Sequence, residues 1–492
     1  MEQKRFVALD LGAESGRAVV GHLDGHSLQL EEVHRFPNGP VQVNGRLHWD
    51  VLRLWNECKQ GVRQAVQRYG SSIASIGLDT WGVDFGLLDA HDNLVGNPYH
   101  YRDRRTDGMM DEVFKRVPRE EVFEHTGIQF IQLNSLYQLY AMRMAGEPAL
   151  DTARTFLTMP DLFNFWLTGR KACEFSNATT TQCYDPRRKT WATAMLSKLG
   201  LPTSIFPEIV PPGTLLGPML SDVASELDIA PIPVIAPACH DTGSAVAAVP
   251  AAERDYAYIS SGTWSLMGVE VIDPVITASS LRYNFTNEGG VCNTFRLLKN
   301  IMGLWLIQEC RREWARAGES YDYGMLTQMA AQAPAFGPIV DVDDHRFLAP
   351  GDMSVRISQY CRDTGQVVPE TKGQILRCAL ESLALRYRWV AEKLEEMMGR
   401  TLKAVHIIGG GMQNTLLCQF AADAMQRPII AGPIEATAMG NILMQALALG
   451  HIRSLQEGRQ IVRNSFQVQT YQPGDGAPWD KAYARYLKLL EQ

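Results

Sequence analysis

Residues 7–17 read Val7-Ala8-Leu9-Asp10-Leu11-Gly12-Ala13-Glu14-Ser15-Gly16-Arg17, and the apolar run Ala18-Val19-Val20-Gly21 follows at once. Two apolar runs separated by a short loop of Gly, Ser and Glu predict a β-hairpin. Such a loop lets backbone N–H groups approach an anion, and Asp10 at its mouth can hold a magnesium ion directly or through water. An ordinary hairpin with an aspartate near its strand end explains the same pattern, so this segment alone leaves both interpretations open.

Length and composition restrict the class of protein. The chain has 492 residues, 46% of them apolar, and a formal net charge of −7. This length predicts two domains, and the composition is typical of a soluble globular protein. The acidic balance, with no block of Lys and Arg, argues against a nucleic-acid partner. No apolar run approaches the roughly 18 residues of a membrane span, and nothing indicates an obligate protein partner.

Cysteine usage indicates the compartment. The nine cysteines are scattered, odd in number and never spaced as CxxC, which argues against a zinc site and favours a reducing compartment. We therefore expect a cytoplasmic protein without a signal peptide. Cys361 and Cys378 would close a loop if oxidised, but buried free thiols are the expected state.

The first half continues the hairpin into an α/β pattern. Residues 27–33 alternate apolar and polar side chains, which predicts a third strand. Asp50 is a suitable N-cap for a helix with apolar residues at three- and four-residue gaps, and Gly70 is a suitable stop. Residues 73–78 then form a buried strand. Three strands, a helix and another strand predict a ribonuclease-H-like nucleotide-binding half.

Two strand ends in this half carry polar residues, at the place where open α/β sheets bind ligands. Residues 79–84 contain two carboxylates, Trp81 and Gly82. Residues 233–238 form a strand that runs into Asp241, which either directs its carboxylate into a cleft or only caps the helix behind it. Residues 177–182 are polar and predict a loop whose hydroxyls face a polar ligand or solvent.

The second half repeats the first. Residues 255–268 are again strand, tight Gly/Ser/Thr loop and strand, so that Gly262 and Thr263 can bind a phosphate oxygen. A strand at 405–408 ends in three glycines, whose bare backbone suits adenine or ribose. We therefore predict an α/β protein of two ribonuclease-H-like domains, residues 1–247 and 248–492, with nucleotide and acceptor in a cleft between them.

Several segments together resemble the FGGY carbohydrate kinases, and more narrowly the members that act on L-rhamnulose. The resemblance extends from about residue 6 to 450, and the segments that carry it are 10–17, 79–85, 101–103, 105–106, 240–242, 260–268, 298–305 and 409–411. It implies the two-domain fold of actin, hexokinase and the heat-shock ATPases. It further implies ATP-dependent phosphorylation of L-rhamnulose on its 1-hydroxyl, as in L-rhamnose degradation, with ATP and Mg²⁺.

The resemblance also implies roles for individual residues. Asp241 would be the general base that accepts the hydroxyl proton. The sugar would be held by Gly82, His240, Asp241, Thr242 and Asn300. The ATP site would be lined by Ala13, Glu14, Ser15, Gly16, Arg17, Thr263, Gln308 and Gly410. Magnesium would bridge the phosphates near Asp10, through water.

One departure and two alternatives accompany this hypothesis. Glu14 stands where a small residue is expected, and an acidic side chain beside phosphates is unfavourable unless it points away or contacts the metal. Within the enzyme class, the alternative is a kinase for another ketose, L-fuculose or xylulose. From another class, an actin-like or chaperone ATPase shares the fold. Asp241 and the polar segment 177–182 favour a pocket for a small substrate.

Overall fold

The computed structural model describes residues 3–491. Its strands, in chain order, are β1 (Lys4–Leu11), β2 (Ser15–Leu23), β3 (Leu28–Pro37), β4 (Pro40–Val43), β5 (Arg46–Trp49), β6 (Ile73–Thr80), β7 (Phe85–Leu88), β8 (Thr155–Thr158), β9 (Ala172–Glu174), β10 (Tyr184–Asp185), β11 (Thr190–Trp191), β12 (Glu208–Val210), β13 (Thr214–Pro218), β14 (Pro233–Ala236), β15 (Tyr256–Ser261), β16 (Ser265–Val271), β17 (Thr286–Gly289), β18 (Phe295–Ile301), β19 (Ala404–Ile408), β20 (Ile429–Ala431) and β21 (Gln469–Tyr471).

The α-helices lie between these strands. In chain order they are α1 (Val51–Tyr69), α2 (Met109–Phe114), α3 (Arg119–Thr126), α4 (Ser135–Ala145), α5 (Pro148–Thr152), α6 (Met159–Thr168), α7 (Phe175–Thr180), α8 (Thr193–Lys198), α9 (Ser221–Leu227), α10 (Asp241–Ala247), α11 (Ala278–Arg282), α12 (Trp305–Arg316), α13 (Tyr323–Gln332), α14 (Met353–Asp363), α15 (Lys372–Met398), α16 (Thr415–Met425), α17 (Ala436–Ala448), α18 (Leu455–Ser465) and α19 (Ala477–Leu490). Within residues 3–491, no helix combines the length and apolar character needed to cross a membrane.

The chain folds into two compact units that are discontinuous in sequence. The first comprises the chain up to Pro250 together with Glu270–Leu297 and Ala436–Ser465. The second comprises Ala251–Val269, Leu298–Glu435 and the chain from Phe466 onward. The predicted domain boundary between residues 247 and 248 stays a prediction.

The first unit is organised around a six-stranded sheet in the order β13-β14-β6-β1-β2-β3. β1 and β2 pair antiparallel with Asp10 opposite Arg17, so the predicted hairpin is confirmed. β3 pairs antiparallel with β2, and α1 begins after Asp50, whose side chain accepts a hydrogen bond from the Arg53 amide, as predicted. Because β1, β6 and β14 are parallel, their carboxyl ends meet at one edge of the sheet.

The strands of the second unit follow the order β18-β16-β15-β19-β20-β21. β15 pairs antiparallel with β16 and parallel with β19, which is in turn parallel to β20. This repeats the arrangement of β3-β2-β1-β6-β14-β13 in the first unit, including an antiparallel edge strand in each sheet. The prediction of two α/β domains of one topology is confirmed.

Close helix packing supports the ligand edge of the first sheet. α17 packs against α10 within the first unit. A Cβ added to Gly440 would lie 1.7 Å from the Ser244 carbonyl oxygen, so the two backbones approach too closely for any side chain. The start of α10, which carries Asp241, is therefore held by a rigid contact behind it.

Candidate active site

The turn between β1 and β2 is held in shape by its own hydrogen bonds. The Gly12 amide donates to the Ser15 carbonyl (2.9 Å), and Asn38 Nδ2 donates to the Gly12 carbonyl (2.8 Å). Near the end of β1, Asp10 Oδ2 accepts from Arg17 Nε (3.0 Å) and Nη2 (2.7 Å). The guanidinium therefore neutralises the Asp10 carboxylate at the mouth of the turn.

The predicted nucleotide residues of this turn differ in exposure. Gly16 is buried, Glu14 is exposed, and Ala13, Ser15 and Arg17 are half-buried. A Cβ on Gly16 would lie 2.3 Å from a ring carbon on β3, which explains why the position requires glycine. An exposed Glu14 keeps its carboxylate in contact with water, where screening weakens its repulsion of a phosphate.

Asp79 lies beside Asp10, because the two are register partners in the parallel strands β1 and β6. It is fully buried, and its Oδ2 accepts from Asn441 Nδ2 of α17 (2.6 Å), whereas Oδ1 has no hydrogen-bond partner within the described part of the chain. Burial, reinforced by the Asp10 charge, raises the pKa of Asp79 well above its usual value.

The carboxylates of Asp10 and Asp79 provide the oxygen donors that Mg²⁺ prefers. No three His, Cys, Asp or Glu side chains among residues 3–491 form a metal-binding cluster. Because Mg²⁺ is commonly held by one or two carboxylates together with phosphate and water oxygens, the donor set at this edge fits that ion. Asp79 and Asn441 were not among the predicted site residues.

Residues 239–242 form the turn between β14 and α10 and lie next to the end of β6. The Thr80 amide donates to the Cys239 carbonyl (2.9 Å). Asp241 is the first residue of α10, and its side chain is 30% exposed. Its Oδ1 accepts from the amide and the hydroxyl of Thr242. His240, not Asp241, occupies the N-cap position, so the alternative that Asp241 only caps the helix is wrong.

The environment of Asp241 alters its acidity. Burial raises the pKa of this carboxyl above its usual value, and the neighbouring His240 partly opposes the increase. A raised pKa makes the ionised carboxylate a stronger base. Asp241 therefore has the chemistry of a general base.

His240 is oriented by two residues that sequence reasoning missed. Its Nδ1 lies 3.2 Å from Glu288 Oε2 and 3.1 Å from Arg296 Nη2, and its Nε2 lies 3.5 Å from Asp241 Oδ1. Glu288 and Arg296 also form an ion pair (3.2 Å). Depending on its tautomer, the imidazole donates to Glu288 or accepts from Arg296. Either arrangement holds the ring with Nε2 towards Asp241.

Gly82 lies in a tight loop after β6. A Cβ added there would lie 3.0 Å from Thr180 Oγ1, and the next residue, Val83, has a φ of 67°. The Val83 amide donates to the same Thr180 oxygen (3.0 Å). The predicted sugar residues Gly82, His240 and Thr242 thus follow the neighbouring strands β6 and β14.

An aromatic cluster supports the Gly82 loop. Trp81 is 5% exposed, and its ring centroid lies 4.0 Å from that of Trp49. Asp84 Oδ2 accepts from the indole nitrogens of Trp49 (2.6 Å) and Trp81 (3.0 Å). Burial raises the pKa of Asp84 to about 6, although these hydrogen bonds oppose the increase. Trp81 is therefore a core residue.

The prediction of a loop at residues 177–182 is wrong. Residues 177–180 belong to α7, and the whole segment is buried. The Thr179, Thr180 and Thr181 hydroxyls donate to backbone carbonyls three residues earlier. These side chains satisfy local backbone groups and do not face solvent.

In the second unit, the turn between β15 and β16 carries Thr263 and contacts the start of α12. The Trp305 amide donates to the Thr263 carbonyl (3.1 Å). Gln308 lies one helical turn along α12 from this contact, and its buried Oε1 has no hydrogen-bond partner among the described residues. This amide oxygen is available to a ligand donor.

The glycines after β19 pack beside the same turn. A Cβ on Gly411 would lie 2.0 Å from Ser261 Oγ, whereas a Cβ on Gly410 would meet nothing within 4 Å. The exposed backbone of Gly410 therefore leaves room for a flat ring near Thr263. Asn300 is half-buried on β18, two residues before Met302, whose amide donates to Asp343 Oδ1 (2.8 Å).

Comparison with known proteins identifies the family of this chain. Residues 5–248 match the N-terminal domain of the FGGY family of carbohydrate kinases, and residues 257–449 match its C-terminal domain. The chain is 46% identical over 488 residues to a rhamnulokinase of Bacteroides thetaiotaomicron, covering 99% of this chain and 100% of that protein. It is 43% identical to a rhamnulokinase of Oceanobacillus iheyensis, covering 95% of this chain and 98% of that protein.

Solved structures show the same fold at low identity. A ligand-bound xylulose kinase from Lactobacillus acidophilus matches with a TM-score of 0.81 at 18% identity, covering 99% of this chain and 98% of that one. Plasmodium falciparum glycerol kinase with ADP matches with a TM-score of 0.78 at 16% identity, again covering 99% of this chain and 98% of that one.

Proposed function

Because the chain belongs to the FGGY family of carbohydrate kinases, we propose that it transfers the γ-phosphoryl group of ATP to the 1-hydroxyl of L-rhamnulose. The products are L-rhamnulose 1-phosphate and ADP. The observation that carries this assignment is the set of relatives named rhamnulokinase, which are 39–46% identical over 95–100% of the chain. Membership of a carbohydrate kinase family removes the alternative of an actin-like or chaperone ATPase.

Asp241 accepts the proton of the attacking hydroxyl. The Thr242 amide and hydroxyl fix one carboxylate oxygen, Oδ1, and the other oxygen would accept the proton. The raised pKa of the carboxyl increases its strength as a base. As the oxygen attacks phosphorus, the proton passes to Asp241, and the bond between the γ-phosphorus and the bridging oxygen of ADP breaks.

The remaining sugar contacts come from both strand ends and from β18. His240, held by Glu288 and Arg296, presents a defined imidazole face, and Thr242 presents its hydroxyl. Gly82 has no side chain, and a Cβ there would crowd Thr180. The bare backbone at this position can therefore approach the ketose closely. The Asn300 amide supplies a donor and an acceptor, and such paired groups suit the hydroxyl groups of a ketose.

The nucleotide contacts come from the two hairpin turns. The amides of residues 13–16 and the Arg17 guanidinium would bind phosphate oxygens. Thr263 and Gln308 provide polar contacts, and Gly410 lies against the adenosine. Asp10 would hold Mg²⁺ through water. The ion, when bound, neutralises charge on the transferring phosphate.

A ketose panel tests the substrate assignment. ADP release is measured with L-rhamnulose, L-fuculose and D-xylulose at equal concentrations, with a sample lacking sugar as the background. We expect the largest kcat/KM with L-rhamnulose and a product phosphorylated on O1, identified by phosphorus NMR. A larger kcat/KM with L-fuculose or D-xylulose would show that L-rhamnulose is the wrong substrate. The assignment as a carbohydrate kinase would remain.

Localisation and further partners belong to the same proposal. All nine cysteines are free thiols, Cys361 and Cys378 among them, which supports a reducing, cytoplasmic compartment. The net charge of −7 supports the prediction that nucleic acid is not a partner. The substrates are L-rhamnulose and ATP, and the activity as proposed requires no obligate protein partner.

A further inference from the structure

Glu174 is a buried carboxylate outside the set of predicted site residues. It immediately precedes α7, is fully buried, and accepts hydrogen bonds from three backbone amides: Ser176 (2.9 Å), Asn177 (3.2 Å) and Cys239 (2.9 Å). Its Oε2 also accepts from the Ser176 hydroxyl (2.5 Å). The first two amides belong to the start of α7, but the third belongs to the turn that carries Asp241.

Ser176 links Glu174 to a second backbone amide of the turn that carries Asp241. Its Oγ, held by Glu174, accepts a hydrogen bond from the His240 amide (3.0 Å). The amides of Cys239 and His240, the two residues directly before Asp241, therefore both donate to the Glu174–Ser176 pair. Through these two amides the pair holds the backbone that leads into Asp241.

The same helix also contacts the Gly82 loop. Asn177 Nδ2 donates to the Trp81 carbonyl (3.2 Å) and to the Cys239 carbonyl (3.5 Å). At the other end of α7, Thr180 Oγ1 accepts from the Val83 amide. α7 thus joins the two loops that carry predicted sugar contacts, through buried polar side chains.

We propose that Glu174, together with Ser176, positions Asp241 for proton abstraction. The proposal rests on the proposed function, because it assigns to Asp241 the role of general base. Catalysis depends steeply on such placement: a displacement of about 1 Å at a reacting group can lower the rate by about 100-fold. Glu174 does not contact substrate, so its effect passes through the backbone of residues 239–241.

The hydrogen-bond geometry at this place favours a carboxyl group over its amide. Burial raises the pKa of Glu174 to about 7, although four hydrogen bonds oppose the increase. A glutamine of the same shape would avoid burying a charge, but its amide nitrogen would face one of these donors and leave it unpaired. Only a carboxylate accepts hydrogen bonds at both oxygens and so holds α7 and the Asp241 turn at once.

The test compares Glu174→Gln and Ser176→Ala with wild type. We expect each variant to lower kcat by about 10-fold or more, with KM for ATP within about twofold of wild type, because neither side chain contacts the nucleotide residues. The double variant should lose little more than the larger single loss, since both changes interrupt one path to the Asp241 backbone. Ser176→Ala removes only a hydroxyl oxygen, so this variant still tests the proposal if Glu174→Gln folds poorly.

Glu381→Gln is the matched control for removing a buried carboxylate. Glu381 is 2% exposed and accepts from the Phe336 amide (2.9 Å) and Arg377 Nε (2.7 Å), neither of which is a predicted site residue. We expect a comparable fall in Tm and an unchanged kcat. The proposal is overturned if folded Glu174→Gln and Ser176→Ala both keep kcat within twofold of wild type, or lose no more than Glu381→Gln.

The design separates this proposal from the substrate assignment. Every variant is assayed with the ketose that wild type phosphorylates fastest. If that ketose is not L-rhamnulose, the proposed substrate is wrong, yet the ratio of variant to wild-type kcat still decides the role of Glu174.

Discussion

Replacing Asp241 by asparagine tests the general base with little structural change. The two side chains have the same shape, and the asparagine oxygen still accepts from the Thr242 amide and hydroxyl, as Asp241 Oδ1 does. The turn is further held by the amides of residues 239 and 240. The variant should therefore fold, and it should lose only the ability to take a proton.

The expected loss follows from the chemistry of that proton transfer. A positioned general base contributes about 10²–10⁴-fold, which corresponds to about 3–5 kcal/mol of barrier at 1.36 kcal/mol for each factor of ten. The raised pKa of Asp241 acts in the same direction, because a stronger base accepts the proton more readily. For wild type, kcat/KM should fall as pH decreases through this raised pKa, since the protonated carboxyl cannot accept a proton.

The assay follows ADP release at saturating ATP and L-rhamnulose, with sugar binding measured separately by calorimetry. We expect Asp241→Asn to bind both substrates with affinities near wild type and to turn over at least about 100-fold more slowly. Asp185→Asn is the matched control, because Asp185 is a buried aspartate that caps the amides of Arg187 and Arg188. It should keep wild-type kcat. A folded Asp241→Asn enzyme within about tenfold of wild type would refute the mechanism.

Three further predictions follow from individual contacts. Arg17→Gln should raise KM for ATP by about tenfold with little effect on KM for the sugar, because it removes the guanidinium proposed to bind a phosphate; equal changes in both constants would contradict this role. Asp84 has a folded pKa of about 6 against 3.8 for the free group, so its contribution to stability is fully present at low pH and is lost as pH rises through 6. Urea unfolding should therefore show that the free energy of unfolding of wild type, relative to Asp84→Asn, falls by about 2 kcal/mol between pH 4 and 7, and a pH-independent difference would contradict the buried carboxylate. Gly440→Ala should lower the free energy of unfolding by about 3 kcal/mol or more, because the new Cβ would lie 1.7 Å from the Ser244 carbonyl oxygen; a loss below about 1 kcal/mol would contradict this packing of α17 on α10.

Local patterns predicted the framework well, because the forces that form it act over short stretches of chain. The β1–β2 hairpin follows from two apolar runs and a loop too short for other connections. The Asp50 N-cap satisfies amides of the first turn of α1 only a few residues away, so it too is visible in sequence. The repeat of this topology in the second unit followed from the same signals at β15 and β16.

The polar support of the site could not be predicted in this way. Residues 177–182 resemble a loop because Thr and Asn side chains compete with the backbone for hydrogen bonds, but burial of the whole segment reverses that preference. Glu174 and the Cys239 amide are 65 residues apart, and Arg296 and His240 are 56 apart. No spacing rule connects such pairs, since only the folded sheet brings them together.

The most direct test of the mechanism is a crystal structure of the enzyme with L-rhamnulose and a non-hydrolysable ATP analogue. A carboxylate oxygen of Asp241 should lie about 2.6–3.2 Å from the O1 hydroxyl of the sugar, and O1 should face the γ-phosphate. A complex in which both substrates are bound but the Asp241 carboxylate points away from O1 would contradict the role of Asp241 as general base.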